Sequence, residues 1–171
     1  MIFVGVGTFV HGFDELVEAA DLAAARLEVA GFAQIGHSRA VPRHLEHARF
    51  LPKGELARRL AASRVAVCHA GMGLIGDALR AGCRLVLLPR RGATTRDHPA
   101  NDQTGFAERL ARHVPLRLCR EPGELEAAIA AALADAGPAP APPGSAVPAI
   151  LRRFLEGSAA AGAQSRPASS S

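Results

Sequence analysis

Apolar and polar positions over the first 135 residues follow two alternating rhythms. Short unbroken apolar runs are separated by longer stretches in which apolar residues return every three or four positions. Ile2–Val6 is the first apolar run, and Gly5 and Gly7 close it. Phe13–Ala30 has helical spacing and is rich in Ala, Leu and Glu. Phe32–Gly36 predicts a strand, and Ala48–Leu51 a short one ended by Pro52. Gly54–Ala62 predicts a helix. Val65–Cys68 predicts a buried strand, Leu74–Ala81 a helix, and Leu85–Leu88 a second continuous apolar strand. Asn101–Arg112 is helical again, Leu116–Cys119 is a last strand, and Pro122–Ala134 a last helix. Its proline sits near the N-terminus, where a missing N–H costs little.

Strands that alternate with helices imply βαβ units. The expected class is α/β: a Rossmann-like parallel sheet with helices on both faces. Such sheets bind ligands outside the carboxyl ends of their strands, so candidate site residues should lie just after a strand. The rhythm stops at Gly137, where GPAPAPPG begins an extended Pro/Ala linker. The expected division is a folded domain over 1–135, a linker over 136–148, a short helix over 149–156 and a disordered tail over 157–171. The spacing of the short helix extends over Val147–Leu155 and includes Arg152 and Arg153. No internal repeat is present.

Composition narrows the function. Seven Phe with no Trp or Tyr weigh against single-stranded nucleic-acid binding, which stacks bases on aromatic rings; no nucleic-acid partner is expected. The net charge of +4 comes from dispersed arginines and one lysine. It fits a solvated surface or a basic face toward phosphates or anionic lipid. Cys68, Cys83 and Cys119 are isolated and lack CxxC spacing, so neither a zinc site nor a disulfide framework is expected, and a reducing cytoplasm fits. The opening MIFVGVG has no basic n-region, and no apolar run approaches the length of a membrane span. Membrane contact would come through a surface patch or a partner.

The chemistry concentrates in "VCHAGMGLIGDALRAGCRLVLLPRRG", Val67–Gly92. Gly71, Gly73 and Gly76 fit GxGxxG after a strand and at the opening of a helix. Small residues admit a ligand to the backbone, and free N–H groups at a helix start favour anions. A phosphate or diphosphate at Gly71–Leu74 is therefore reasonable, although glycines also serve tight turns alone. A dinucleotide reading needs an acid after the next strand. Arg90 and Arg91 stand there instead, which leaves an NADP 2′-phosphate as one alternative. Asp77 lies one turn into the helix, four residues after Gly73. A carboxylate there suits ribose hydroxyls, or simply the helix dipole. The cluster Asp97, His98, Asn101, Asp102, Gln103 opens a later helix. It offers donors and acceptors to sugar hydroxyls, with helix capping by Asn101 as the plainer role.

Strand–CHAGMG–x3–D–ALRAGCRLVLLPRR…DHPANDQ–helix resembles the C-terminal, nucleotide-sugar-binding half of glycosyltransferase family 28. The likeness extends to short PssE/EpsF-like exopolysaccharide subunits and to the catalytic subunit of the two-part N-acetylglucosaminyltransferase. MIFVGVGT…FDELVEAAD and FAQIGHSRAVP…FLPKGEL are similar to the corresponding stretches of these proteins, so the resemblance covers residues 1–133. It implies one half of the two-domain GT-B fold. It also implies a UDP-sugar donor, no metal or other cofactor, and a membrane-anchored partner subunit that binds a lipid-linked saccharide acceptor. The chain would be cytoplasmic and recruited to the inner face of the membrane.

By match to the family's motifs, Gly7 and Thr8 would lie beside the donor phosphates and Phe50 and Leu51 would flank uracil. Gly71, Met72, Gly73 and Leu74 would hold the diphosphate through their main chain, and Asp77 would bind ribose. His98, Asp102 and Gln103 would stand at the sugar. Three departures from the pattern are visible: Leu74 where relatives often carry Ser, Asp102 where His usually precedes Gln, and Gly5 where Thr is common.

Charge on a departing diphosphate would fall to helix N–H groups and to Arg90, Arg91 or Arg96. Those arginines would alternatively pair with a uronic acid carboxylate. His11, His37, His69 and His98 all follow strands. His69 and His98 are the candidate bases, although the resemblance places the base on the partner, and a packed His69 is the plainer reading. The functional expectation is the donor-binding subunit of a two-chain glycosyltransferase for surface polysaccharide, moving a hexose or uronic acid. The alternative is a non-catalytic nucleotide-sugar-binding module. By analogy with relatives, Val147–Leu155 would dock on the partner.

Overall fold

The computed structural model describes residues 1–92 and 102–138. Within them, six strands form one parallel sheet: β1 (Ile2–Gly5), β2 (Gly31–Gln34), β3 (Glu46–Ala48), β4 (Val65–Cys68), β5 (Arg84–Leu87) and β6 (Leu116–Leu118). Their order is β3-β2-β1-β4-β5-β6. Ile2 pairs with Gly31 on one side and Val65 on the other, and Val65 pairs in turn with Arg84. The connecting helices are α1 (Asp14–Arg26), α2 (Lys53–Ala61), α3 (Met72–Arg80), α4 (Thr104–Ala111) and α5 (Leu125–Ala134). A 3-10 turn at Pro122–Glu124 leads into α5.

The central strands are apolar throughout because both faces are covered. Ile2, Val4 and Val6 point to one side and pack with Leu16 and Val17 of α1 and with Leu125 and Ile129 of α5. Phe3 points to the other side and meets Leu60 of α2, Ile75 and Leu79 of α3, and Ala107 of α4. Burying each large side chain contributes roughly 1.5–3 kcal/mol before the entropy of ordering it. The chain leaves β1 toward β2 and leaves β4 toward β5, in opposite directions along the sheet. Their carboxyl ends therefore flank the switch-point crevice.

Element ends differ from expectation for identifiable reasons. α1 stops at Arg26 rather than Ala30, because Glu28 takes a left-handed conformation (φ 51°) and Val29 N–H returns to Ala24 O. β3 begins at Glu46, two residues before the expected start, and ends at Ala48. The Asp21 carboxylate accepts the N–H groups of Arg43, His44 and Leu45 and so aligns the chain with β2. α4 begins at Thr104, where the Asp102 carboxylate accepts Thr104 N–H at 2.8 Å. The expected cap Asn101 lies outside the described residues, as do the linker from residue 139, the short helix and the tail.

Candidate functional site

The loop after β1 carries Gly7 and Thr8, and the loop after β4 carries His69 to Gly71. Both end at the switch point. Gly7 has φ +71°, a conformation that side chains resist. Gly71 precedes α3 in an extended conformation, and its side makes no cap for the helix. Among the described residues, the first N–H groups of α3 have no side-chain acceptor.

The His69 ring sits between these two glycines. A methyl group at Gly7 would come within 2.6 Å of His69 Cε1, and one at Gly71 within 2.7 Å of the same atom. Gly73 is different: among the described residues a methyl group there would meet nothing within 4 Å. Gly71 is demanded by the packing, whereas Gly73 is not.

His69 is only 9% exposed, and its Nδ1 donates to Gly5 O at 3.4 Å. Burial, and then the nearby Arg90 charge, push its pKa down to about 4, against the pull of that carbonyl. The imidazole is therefore neutral at pH 7 and holds a proton weakly. A packed, backbone-bonded ring, the plainer expectation for His69, fits this better than a catalytic base, which works best with a pKa near the operating pH.

Arg90 also departs from expectation. It is 6% exposed, and its guanidinium donates to Val6 O at 2.7 Å and to Gly12 O. The same group lies over the rings of Phe13 (4.7 Å) and Phe9 (5.3 Å). Burial lowers its pKa to about 10, so it stays charged at neutral pH. Arg90 thus ties the β1–α1 loop to the end of β5, and its terminal nitrogens are engaged by main-chain carbonyls. Arg91 turns to the far side, donating to Glu121 at 2.7 Å and to Arg120 O. Neither guanidinium stands ready for an NADP 2′-phosphate.

Gln103 acts as a clip. Its Oε1 accepts Ala70 N–H at 3.1 Å and Arg90 N–H at 3.2 Å, while its own N–H donates to Arg90 O at 2.9 Å. One carboxamide oxygen therefore couples the glycine turn to the end of β5. Its NH2 group is left as a donor. Asp102 is exposed, and its carboxyl is held below the usual range chiefly by its bond to the Thr104 N–H.

Asp77 faces α2 from α3. It lines a cavity of about 610 Å³ with Lys53, Leu56, Ala57 and Arg80, and its carboxylate pairs with Arg80. Leu51 packs partly into the core beside this groove, while Phe50 stays exposed with its ring edge-on to His37 at 5.0 Å. Met72 is 66% exposed at the start of α3. Leu74 turns inward: a methyl group on Gly5 would overlap its Cδ2. The two sequence departures at positions 5 and 74 therefore occupy one space.

Gly7, Thr8, His69, Gly71 to Leu74, Arg90 and Gln103 thus gather at the switch point. Phe50, Leu51 and Asp77 flank it on the α2–α3 side, and Arg91 points away. Arg96 and His98 lie outside the described residues. Sequence reasoning missed Ser38, whose Oγ accepts Phe13 N–H at 2.8 Å, and the Asp14 carboxylate, which accepts Arg39 N–H at 2.7 Å. Both shape the β1–α1 loop, and only the position of Asp14 in a first helical turn offered a cue.

A six-stranded parallel sheet of order β3-β2-β1-β4-β5-β6 with helices on both faces defines a Rossmann-like domain. The sequence matches the glycosyltransferase family 28 C-terminal domain over residues 1–147, and the chain belongs to that family. The fold agrees with solved glycosyltransferases. The glycosyltransferase of kitacinnamycin is 26% identical with a TM-score of 0.56, covering 79% of this chain and 35% of its own. CalG4, the calicheamicin glycosyltransferase, is 23% identical with a TM-score of 0.59, covering 78% and 34%. MurG from Acinetobacter baumannii is 20% identical with a TM-score of 0.53, covering 76% and 40%. The chain therefore spans a minor part of each of these proteins and carries one domain of the GT-B architecture. Comparison with curated proteins gives no match. Among the described residues no helix is long and apolar enough to cross a membrane.

Proposed function

We propose that the chain is the donor-binding half of a glycosyltransferase that uses a UDP-sugar. In this reading the α3 N–H groups hold the diphosphate. Asp77 exchanges Arg80 for ribose hydroxyls, and Leu51 and Phe50 border the base. The Gln103 NH2 group reaches the sugar while its oxygen keeps the two loops together. The observation that carries the reading is the start of α3 at the switch point, where, among the described residues, no side chain caps the helix and a methyl group on Gly73 would meet nothing within 4 Å. Departing negative charge would meet a preorganised positive helix end, which needs no rearrangement during the reaction.

Burial holds the His69 pKa down at about 4, so in this reading the base for the acceptor hydroxyl comes from a second, membrane-anchored subunit that presents a lipid-linked saccharide. The transferred group would be a hexose or a uronic acid; Arg90 and Arg91 are both engaged by protein partners, which leaves Arg96, outside the described residues, as the arginine for a carboxylate. Assembly would bring the chain to the inner face of a cytoplasmic membrane for surface-polysaccharide synthesis. The test is UDP release on membranes after co-expression with a candidate membrane subunit. Release that needs both chains and falls with Asp77→Ala supports the reading. A second reading, a binding module without turnover, is favoured by Leu74, which puts an inward-turned methyl pair where relatives carry a hydroxyl. UDP-sugar binding without any UDP release in the co-expressed preparation would select it.

A further inference from the structure

Arg90 is a buried cation that lacks a counter-ion among the described residues. Every ion pair formed by those residues involves some other arginine. The acid that follows the β1–α1 loop, Asp14, is turned to the N–H groups of Arg39 and Ala40. The Arg90 Nε is buried and has no hydrogen-bond partner. Two carbonyl dipoles and the faces of Phe9 and Phe13 offset part of the cost of taking the guanidinium from water, and they leave its charge unbalanced.

Holding the loop does not call for a charge. Val6 N–H donates to Gln34 O at 3.2 Å at one end of the loop, and Phe13 N–H donates to Ser38 Oγ at 2.8 Å at the other. Gly12 packs so closely that a methyl group on it would overlap the Ser38 backbone. A neutral donor would serve Val6 O and Gly12 O without the desolvation of a cation.

The charge is felt at the switch point. Val6 O, which the guanidinium grips, adjoins Gly7, and the His69 ring lies between Gly7 and Gly71. The Arg90 charge helps to hold that ring neutral, so its field crosses to the residues that lead into α3. The intervening groups are buried, where charges act over longer distances than in water. Arg90 and the positive end of α3 thus favour an anion at the same end of the sheet.

We infer that Arg90 sets the charge preference of the donor site from beneath: the anion held at the start of α3 balances its guanidinium without touching it, so the site favours a nucleoside diphosphate over a monophosphate or a free nucleoside. This specificity role rests on the donor reading.

The test is calorimetry on the full chain with uridine, UMP and UDP, which share a base and rise in negative charge, at low ionic strength. The proteins are the natural chain, Arg90→Lys, and two neutral variants, Arg90→Gln and Arg90→Met, each with its unfolding midpoint measured. In the neutral variants affinity for UDP should fall at least about tenfold, for UMP by less, and for uridine by no more than about twofold. Arg90→Lys should keep the preference for UDP although it loses the planar fork. A purely structural staple would lower all three affinities by one factor, and that result in a folded neutral variant would overturn the inference. So would loss of the UDP preference in Arg90→Lys. So would failure of both neutral variants to fold, because the fold itself would then require the cation. Absence of UDP binding to the natural chain would instead defeat the donor reading, and the inference with it.

Discussion

Gly5 and Leu74 lie in one buried space, and a double-mutant cycle measures their dependence on each other. β1 is the central strand, covered on both faces, so a side chain at position 5 cannot escape to solvent. A methyl group there would overlap Leu74 Cδ2 and stand 3.1 Å from Phe3 Cε1. Gly5→Thr adds a branched side chain to this filled site and should cost roughly 1–3 kcal/mol by overpacking. Leu74→Ser removes a partly buried leucine and should cost about 2 kcal/mol, the low end for such truncations. Independent effects would sum to roughly 3–5 kcal/mol, but the serine vacates the space that the threonine needs. The double variant should lose no more than about 2 kcal/mol, a coupling of at least about 1 kcal/mol, within the range for contacting residues. Urea unfolding of the four proteins reads this directly. Additivity within about 0.5 kcal/mol would refute the claim that the two positions compensate each other.

Three further outcomes follow from the site. Since burial and Arg90 hold folded His69 neutral down to about pH 4, the unfolded chain takes up that proton first as pH falls. Stability present above about pH 6.5 should drain by up to about 3 kcal/mol toward pH 4, and His69→Gln should flatten that part of the curve. Gln103→Ala strands two N–H groups and should cost about 2–4 kcal/mol in thermal or urea unfolding, whereas Gln103→Glu keeps the accepting oxygen and most of the stability while losing the NH2 donor and sugar affinity. The three cysteines are buried, with Cys68 pushed up to about 12 by burial and then by the neighbouring Cys83, so the native chain should react with a thiol reagent only on unfolding.

Much of the frame was legible because the two hydrophobic periods differ so clearly. VAVC and RLVLLP are unbroken because both sheet faces are covered, and the glycines after VAVC mark the turn at the switch point. The ends of elements were harder, because side chains distant in sequence decide them. Asp21 sets the start of β3 across 24 residues, and no local pattern announces it. The arginines were hardest. Arg90 and Arg91 are adjacent, yet one turns into a cage of carbonyls and phenyl rings and the other pairs outward with Glu121. A sequence shows two charges after a strand, and alternation along the chain sends them to opposite places. Gln103 stands out in the sequence only as one polar residue at a helix start, and its grip on Ala70 and Arg90 required the fold.

The central claim is that the N–H groups opening α3 hold the diphosphate of a uridine donor. Gly73→Asp tests it most directly. Among the described residues nothing lies within 4 Å of a methyl group placed on Gly73, and an acid in a first helical turn is well tolerated, so the unfolding midpoint should hold while the new carboxylate repels an anion. Calorimetry should register UDP binding to the natural chain and none to Gly73→Asp. Heat of equal size with both proteins, or no heat with any uridine diphosphate compound whether or not a membrane subunit is present, would contradict the account.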